Sequence, residues 1–347
     1  MEDSVVIVGA GLAGYTLAKE LRKLAPARPI TLVTADRGAL YSKPMLSNAL
    51  SQGQDAAALV QASAAQQAEK LGIRVLAGCA VRAIRRPERV LETDAGTLPY
   101  GDLVLAVGAR PRPSQWAADT ASDTAVFSVN HLEDYARLRQ RLQPGARVCI
   151  VGAGLVGCEF ANDLALAGYA VTVVETAVRP LAGLLPEALS HRLMDSLARL
   201  GVRWRCGRRV AGVSTADNAW RVTLDDDETC GVDVVLAATG LIAETALAAA
   251  AGLPAGRGIV VNRWLATADS HVHALGDCAE VEGLWLPYVL PLMQQARALA
   301  ATLAGQPTPL QLPALPVAVK TPACPLVVSG QPDPEAVWQQ EIDTPEG

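Results

Sequence analysis

Val5-Val6-Ile7-Val8-Gly9-Ala10-Gly11-Leu12-Ala13-Gly14 decides how this chain is organised, because Val148-Cys149-Ile150-Val151-Gly152-Ala153-Gly154-Leu155-Val156-Gly157 repeats it within the same 347 residues. Each stretch is an apolar strand running into a Gly-x-Gly-x-x-Gly turn. After the first, residues 15–24 read as a helix and Ile30-Thr31-Leu32-Val33-Thr34 as a second strand; after the second, 158–167 and Val171-Thr172-Val173-Val174-Glu175 read the same way. In such a turn the first glycine permits the tight bend, the second lets backbone approach a pyrophosphate, and the third lets helix pack closely on strand. The helix N-terminus then presents unsatisfied N–H groups and a partial positive charge to the phosphates. One such turn is a weak signal. Two, each between a strand and a helix and each followed by another strand, predict two dinucleotide-binding units.

Each unit has a later apolar run ending in glycine, Leu103-Val104-Leu105-Ala106-Val107-Gly108 and Val234-Val235-Leu236-Ala237-Ala238-Thr239-Gly240. Unbroken runs of this kind suit strands buried on both faces of a parallel sheet. Arg110-Pro111-Arg112-Pro113 neither continues a strand nor starts a helix easily and reads as a crossing between domains. Further on, His273-Ala274-Leu275-Gly276-Asp277 reads as a strand ending in a turn, 291–304 as an Ala-rich helix, and 312–325 as proline-punctuated strands. The simplest topology is α/β: a second dinucleotide domain, 113–240, inserted into a first made of 1–112 and 241–313, with a C-terminal domain at 314–347. Residues 331–347 carry three prolines and five acidic residues, the composition of a poorly ordered tail.

Half of the residues are hydrophobic and the net charge is -5, so large cores are expected, and nucleic acid and anionic membrane are disfavoured as partners. Met1-Glu2-Asp3-Ser4 enters a strand without a basic leader, and no run reaches the roughly 18 apolar residues of a membrane span. The expectation is a cytoplasmic protein, and a monomer, since no extra interface element is visible. Seven cysteines (79, 149, 158, 206, 230, 278 and 324) stand without a Cys-x-x-Cys or Cys-x4-Cys pair, which argues against a disulfide framework or a metal cluster and for small buried hydrophobes. His271-x-His273 puts two imidazoles on one strand face, where a structural role is expected over a metal pair.

The residue closing the second strand separates the two units. Glu175 lies where a carboxylate accepts hydrogen bonds from a ribose 2′-hydroxyl and repels a 2′-phosphate; like charges about 4 Å apart cost on the order of 4 kcal/mol at an effective dielectric of 20. NADH is therefore expected over NADPH, with Arg179 a candidate to soften that preference. The first unit has Thr34 at the matching position and Asp36 two residues on, where Asp36 either reaches a cofactor ribose or is a solvated loop residue.

Four further segments carry a family resemblance: Tyr41-Ser42-Lys43-Pro44-Met45-Leu46-Ser47, Gly157-Cys158-Glu159-Phe160-Ala161-Asn162-Asp163-Leu164, His273-Ala274-Leu275-Gly276-Asp277-Cys278-Ala279-Glu280 and Val319-Lys320-Thr321-Pro322-Ala323-Cys324-Pro325-Leu326-Val327-Val328. Together they resemble the bacterial rubredoxin:NAD reductases, over roughly residues 4–329. The resemblance implies two Rossmann-like, three-layer domains of the glutathione-reductase-like kind plus a small C-terminal α+β domain. It implies an FAD-dependent reductase that takes hydride from NADH and passes single electrons to rubredoxin.

Carried over residue by residue, it implies FAD contacts from Gly9, Ala10, Gly11, Leu12, Ala13, Gly14, Thr34, Ala35, Asp36, Pro44 and Gly108. Asp277 would take hydroxyl hydrogen bonds from the ribityl chain beside Gly276, Val81 would hold the adenine through its backbone, and Val289 would offer backbone N–H groups to the flavin pyrimidine. The NADH contacts would come from Gly152, Gly154, Leu155, Val156, Gly157, Glu175 and Gly240. Lys43, Glu159 and Lys320 would meet near the isoalloxazine as the catalytic group. The chain uses lysine only at 19, 23, 43, 70 and 320, so the two in these motifs are not drawn from an abundant pool. An ammonium beside a flavin favours its anionic reduced state.

The stretch from Gly9 to Arg74 holds no cysteine, whereas a flavin disulfide reductase needs a pair there and a flavin peroxidase needs one. Cys158, lacking a partner, reads as a packing residue, and no metal is expected. An acidic rubredoxin calls for a basic face, with Arg74, Arg82, Arg85, Arg86 and Arg89, or Arg203, Arg205, Arg208 and Arg209, as candidates against a plain solvated surface. Two alternatives stay open: a ferredoxin reductase serving an oxygenase, and an NADH-responsive signalling flavoprotein.

Overall fold

The computed structural model describes residues 3–114, 116, 126–216, 219–313 and 316–329. The acidic tail expected at 331–347 and the domain junction at 314 lie outside them. Five strands form a wholly parallel sheet in the order Val272–Ala274, Asp102–Leu105, Val5–Val8, Ile30–Val33 and Arg74–Leu76. A second parallel sheet runs Val126–Phe127, Val234–Ala237, Arg147–Val151, Ala170–Glu175 and Arg203–Cys206. Four positions correspond between the sheets; the fifth is filled from late in the chain in the first and from just before the glycine turn in the second.

Each sheet is accompanied by a three-stranded antiparallel meander, Val81–Arg85, Val90–Thr93 and Gly96–Pro99 in one unit and Val210–Ala216, Ala219–Leu224 and Thr229–Val232 in the other. The apolar runs behave as period-two strands buried on both sides. Val148 and Ile150 enter one core with Phe160 and Leu164, while Cys149 and Val151 enter another with Trp220 and Val222. Alternate side chains of one strand thus fill two layers, as the pleat requires.

Several boundaries differ from expectation. The two helices begin inside the glycine turns, at Leu12–Leu24 and Leu155–Leu166 rather than at 15 and 158, because Gly11 and Gly154 are themselves the N-caps and nothing in the turn blocks helical geometry after them. The strand at Val81 starts there, with Cys79 and Ala80 ahead of it. His271 precedes the strand Val272–Ala274, so the two histidines do not share its face: His271 is part-exposed beside Asp102 and His273 is buried.

The crossing at 110–113 is the larger correction. Ala109–Pro111 pairs antiparallel with Leu241–Ala243, since the outgoing and returning crossings run side by side and satisfy each other's backbone groups. Pro111, at the end of this two-stranded ribbon, interrupts nothing. Near the other end of the chain, Val317–Val319 and Leu326–Val328 form a hairpin. Its Val319 and Cys324 join Leu46, Ala49 and Leu50 in the core built on Phe160 and Leu164. Two segments outside 113–240 therefore pack on the helix Leu155–Leu166.

Candidate cofactor and electron-transfer site

The two glycine turns have nearly the same geometry. Gly9 and Gly152 hold φ of +114° and +103°, and a Cβ there would lie 2.2 Å from the Ala106 carbonyl oxygen and 2.5 Å from that of Ala238. A Cβ on Gly14 or Gly157 would stand 2.0 Å from the carbonyl oxygen of Gly9 or Gly152. These four positions are closed to any side chain by the protein's own backbone. Gly11 and Gly154 differ, for a Cβ on either meets no atom within 4 Å. Open space at the middle glycine, beside a helix start with no side-chain cap and no acidic residue in its first turn, suits an incoming phosphate.

Around the first turn, Ala10 and Ala13 are buried, and a Cβ on Gly276 would come within 2.9 Å of the Ala13 Cβ, so the turn Gly276–Cys278 sits directly against the glycine turn. The Gly276 N–H donates to the buried Gln295 side chain at 2.6 Å. Gln295 lies on the helix Val289–Leu303, which starts at Val289 with no side-chain cap. Thr34 is buried, and its hydroxyl donates to Asp36 Oδ1 at 2.7 Å; the Gly38 N–H donates to the same oxygen at 2.8 Å. Asp36 is thus a turn-forming aspartate, with Ala35 exposed beside it. Gly108 and Gly240 close the matching strands, and their carbonyls take the N–H groups of Glu244 and Arg112, each at 3.0 Å.

Lys43, Glu159 and Lys320 form two neighbouring groups rather than one cluster. Lys43 Nζ stands 3.9 Å from Asp277 Oδ2. Burial pushes the Lys43 ammonium below its usual range, with Asp277 pulling it back, and pushes the Asp277 carboxyl up, with Lys43 opposing. Lys320 pairs with Glu159 Oε2 and also donates to the Pro44 carbonyl at 2.9 Å and to Ser47 Oγ at 3.3 Å. The Ser47 hydroxyl donates to Glu159 at 2.6 Å. The turn Lys43–Ser47 joins both groups: its first residue faces Asp277 and its last faces Glu159. Glu159 is charge-paired with Lys320 and takes two further hydrogen bonds, from Ser47 and from the Lys320 N–H.

Ser47, Asp163 and Gln295 were given no role by sequence reasoning. Asp163 takes the N–H groups of Leu50 and Ser51, each at 2.9 Å, and pins the segment after the Lys43 turn to the helix Leu155–Leu166. Asn162 similarly takes the Ala323 N–H at 3.1 Å. The signal is in the sequence: Glu159, Asn162 and Asp163 are polar residues within an otherwise apolar, buried helix, where most polar groups carry partners, although the Asn162 Nδ2 has none among the described residues.

At the second turn, the Ala153 N–H donates to Glu175 Oε2 at 2.5 Å and the Ala177 N–H to Oε1 at 2.9 Å. Arg179 does not face this carboxylate; it donates to the Leu185 carbonyl and to Ser190. Cys158 is fully buried, donates to the Ala153 carbonyl at 3.4 Å, and has its thiol pushed far up by burial, while Cys149 is raised to about 12 and Cys278 to about 11. These are packing thiols, not nucleophiles. Among the described residues no group of three or more His, Cys, Asp or Glu is placed to hold a metal, and no helix is long and apolar enough to cross a membrane.

The two arginine clusters are partly ion-paired. Arg82 pairs with Asp94, Arg85 with Glu92, Arg205 with Glu228 and Arg208 with Asp226. These pairs lower the positive charge of both clusters, while Arg74, Arg89, Arg203 and Arg209 enter no salt bridge among the described residues.

Comparison with known proteins agrees with this geometry. A family profile described as "Pyridine nucleotide-disulphide oxidoreductase" matches residues 3–300, and one described as "Rubredoxin binding C-terminal domain" matches 309–346. The chain is 44% identical to a rubredoxin-NAD(+) reductase of Alcanivorax borkumensis, over 98% of this chain and 89% of that one. It is 41% identical to a nitric oxide reductase FlRd-NAD(+) reductase of Aeromonas hydrophila, over 96% and 86%. The reductase in a covalent putidaredoxin reductase–putidaredoxin complex superposes with a TM-score of 0.87 at 31% identity, over 95% of this chain and 81% of that one. With two glycine turns of one geometry in two parallel sheets, and with these relatives, the chain belongs to the pyridine nucleotide-disulphide oxidoreductase family, on the branch that holds the rubredoxin-NAD(+) reductases.

Proposed function

We propose that this chain is an NADH-dependent FAD reductase that hands single electrons to rubredoxin. The observation that carries the reading is the hairpin Val317–Val319 and Leu326–Val328, which lies within the stretch matching a rubredoxin-binding domain and is tied by Lys320 to Glu159 on the helix that opens at the second glycine turn. FAD, when bound, supplies the hydride-accepting and one-electron chemistry. The protein's residues bind and orient. The turn Gly9–Gly14 would hold the FAD pyrophosphate at the open space over Gly11, where Leu12, Ala13 and Gly14 start the helix. Asp277 would accept from ribityl hydroxyls, and the Val289 N–H at an uncapped helix start would be offered to the flavin pyrimidine. Thr34, Ala35, Val81, Pro44 and Gly108 would contribute further FAD contacts, and Lys43, Glu159 and Lys320 would set the flavin's charge environment. Asp36 shapes the turn at Thr34 through Oδ1, taken by Thr34 and Gly38, and its exposed carboxylate keeps Oδ2 to accept from the FAD ribose.

NADH enters by the turn Gly152–Gly157, its pyrophosphate over Gly154 and the N–H groups of Leu155 and Val156, its adenine ribose on Glu175, with Gly240 beside the chain crossing. The acceptor is tested by measuring NADH oxidation with rubredoxin and with a plant-type ferredoxin in parallel. A higher kcat/KM with rubredoxin is expected; a higher one with ferredoxin would replace the acceptor and leave the flavin reading standing.

A further inference from the structure

The loop after Glu175 carries an arginine for which the NADH site has no use. The Ala153 N–H donates to Glu175, and the Ala153 carbonyl accepts the Leu181 N–H at 3.0 Å. One residue of the glycine turn therefore fixes both ends of the stretch 175–181, and Arg179 lies within it, four residues after the carboxylate that would hold the ribose. A cation there is what a 2′-phosphate needs. Yet its guanidinium is engaged elsewhere: Nη1 donates to the Leu185 carbonyl at 2.7 Å and to Ser190 Oγ at 2.9 Å.

Ser190 is fully buried on the helix Glu187–Arg199, and its hydroxyl donates to the Pro180 carbonyl at 2.8 Å. The loop is stiff. Buried Leu181 holds a φ of +51°, and its carbonyl takes the N–H groups of Leu184 and Leu185 at 2.8 Å each. Such a backbone conformation persists in a non-glycine residue only where its surroundings enforce it. Arg208, whose backbone N–H donates to the Glu175 carbonyl at 3.0 Å, is likewise occupied, by Asp226 at 2.5 Å.

We propose that Ser190 is a positioning residue for cofactor choice: by holding Arg179 on the Leu185 carbonyl it withholds the cation that would recruit a 2′-phosphate, so NADPH is excluded by this tether as well as by Glu175. The inference rests on the reading of Glu175 as the ribose carboxylate. It is tested on the flavin-loaded protein by titration calorimetry with adenosine 2′,5′-bisphosphate and with AMP, beside kcat/KM for NADPH and NADH using ferricyanide as acceptor.

Ser190→Ala is expected to strengthen bisphosphate binding relative to AMP about tenfold, the scale of one charge-assisted hydrogen bond, and to raise the NADPH/NADH ratio of kcat/KM similarly. Adding Arg179→Gln should abolish both gains. An unchanged ratio in Ser190→Ala, or a gain that survives in the double variant, would overturn the proposal. Should Ser190→Ala not fold, Arg179→Gln alone decides: an unchanged bisphosphate/AMP ratio supports the tether, and a fall in it means that Arg179 already serves the phosphate. If AMP binds none of these proteins, the reading of Glu175 fails and this proposal with it.

Discussion

The Lys320 ammonium is paired with the Glu159 carboxylate, which also receives the Ser47 hydroxyl at 2.6 Å, so three segments remote in sequence meet on one buried acid. Removing the cation leaves that acid uncompensated. Lys320→Met should lower stability by about 2 kcal/mol, less than the roughly 3–5 kcal/mol of a fully buried pair because the lysine side chain is 32% exposed against 5% for the glutamate. Lys320→Met with Glu159→Leu should recover part of the loss. Denaturant midpoints check both, and equal losses in the single and double variants would deny the coupling.

The glycines of each turn divide into two kinds. Gly14→Ala forces a Cβ to 2.0 Å from the Gly9 carbonyl oxygen, whereas Gly11→Ala meets no protein atom. The first should misfold. The second should fold with native circular dichroism but retain little flavin, a loss read from flavin absorbance per protein. In the second unit, Gly154→Ala should keep its flavin and raise KM for NADH at least about tenfold, since one misplaced phosphate contact to a charged group is worth about that factor.

Asp277 is held at a cost to the fold. Its carboxyl is raised by burial, so the folded protein binds that proton more readily than the unfolded chain, and the ionised group opposes folding at pH values above its folded pKa. Asp277→Asn should therefore raise the Tm of flavin-free protein at neutral pH while weakening FAD binding about tenfold through the lost charged acceptor. A lower Tm would contradict the cost assigned to its burial, and undiminished flavin affinity would remove Asp277 from the cofactor site.

His273 gives the pH dependence a sign. It is buried, its Nδ1 has no partner among the described residues, and burial lowers its pKa below the ordinary 6.5. The unfolded chain then takes up the proton first, so the stability this residue contributes is complete above about pH 6.5 and is lost as pH falls below that value toward the folded pKa. His273→Leu should flatten the fall in Tm between neutral and mildly acidic pH, whatever it does to Tm at pH 7.

What the sequence revealed was periodic. The two strand–turn–helix units, the buried strands Asp102–Leu105 and Val234–Ala237 within the apolar runs 103–108 and 234–240, and the contrast between Thr34 and Glu175 all follow from residue type at fixed spacing. What it concealed was pairing across distance. No local signal tells that Lys320 rather than Lys43 takes Glu159, that Leu241–Ala243 converts a proline-rich crossing into a ribbon, or that Asp94 and Glu92 neutralise the arginines opposite them. Arg179 is the sharpest instance: near Glu175 in sequence, it is bound to a serine eleven residues further along.

The central claim is that electrons enter as a pair at the Gly152 unit and leave singly from the flavin of the Gly9 unit. Anaerobic rapid mixing of the purified flavoprotein with NADH and excess rubredoxin tests it most directly, with flavin and rubredoxin absorbance followed together. The account predicts that the flavin bleaches before any rubredoxin is reduced, that two rubredoxins are reduced per NADH consumed, and that Gly154→Ala slows the first phase alone. Rubredoxin left oxidised while the flavin is fully reduced by NADH would contradict it.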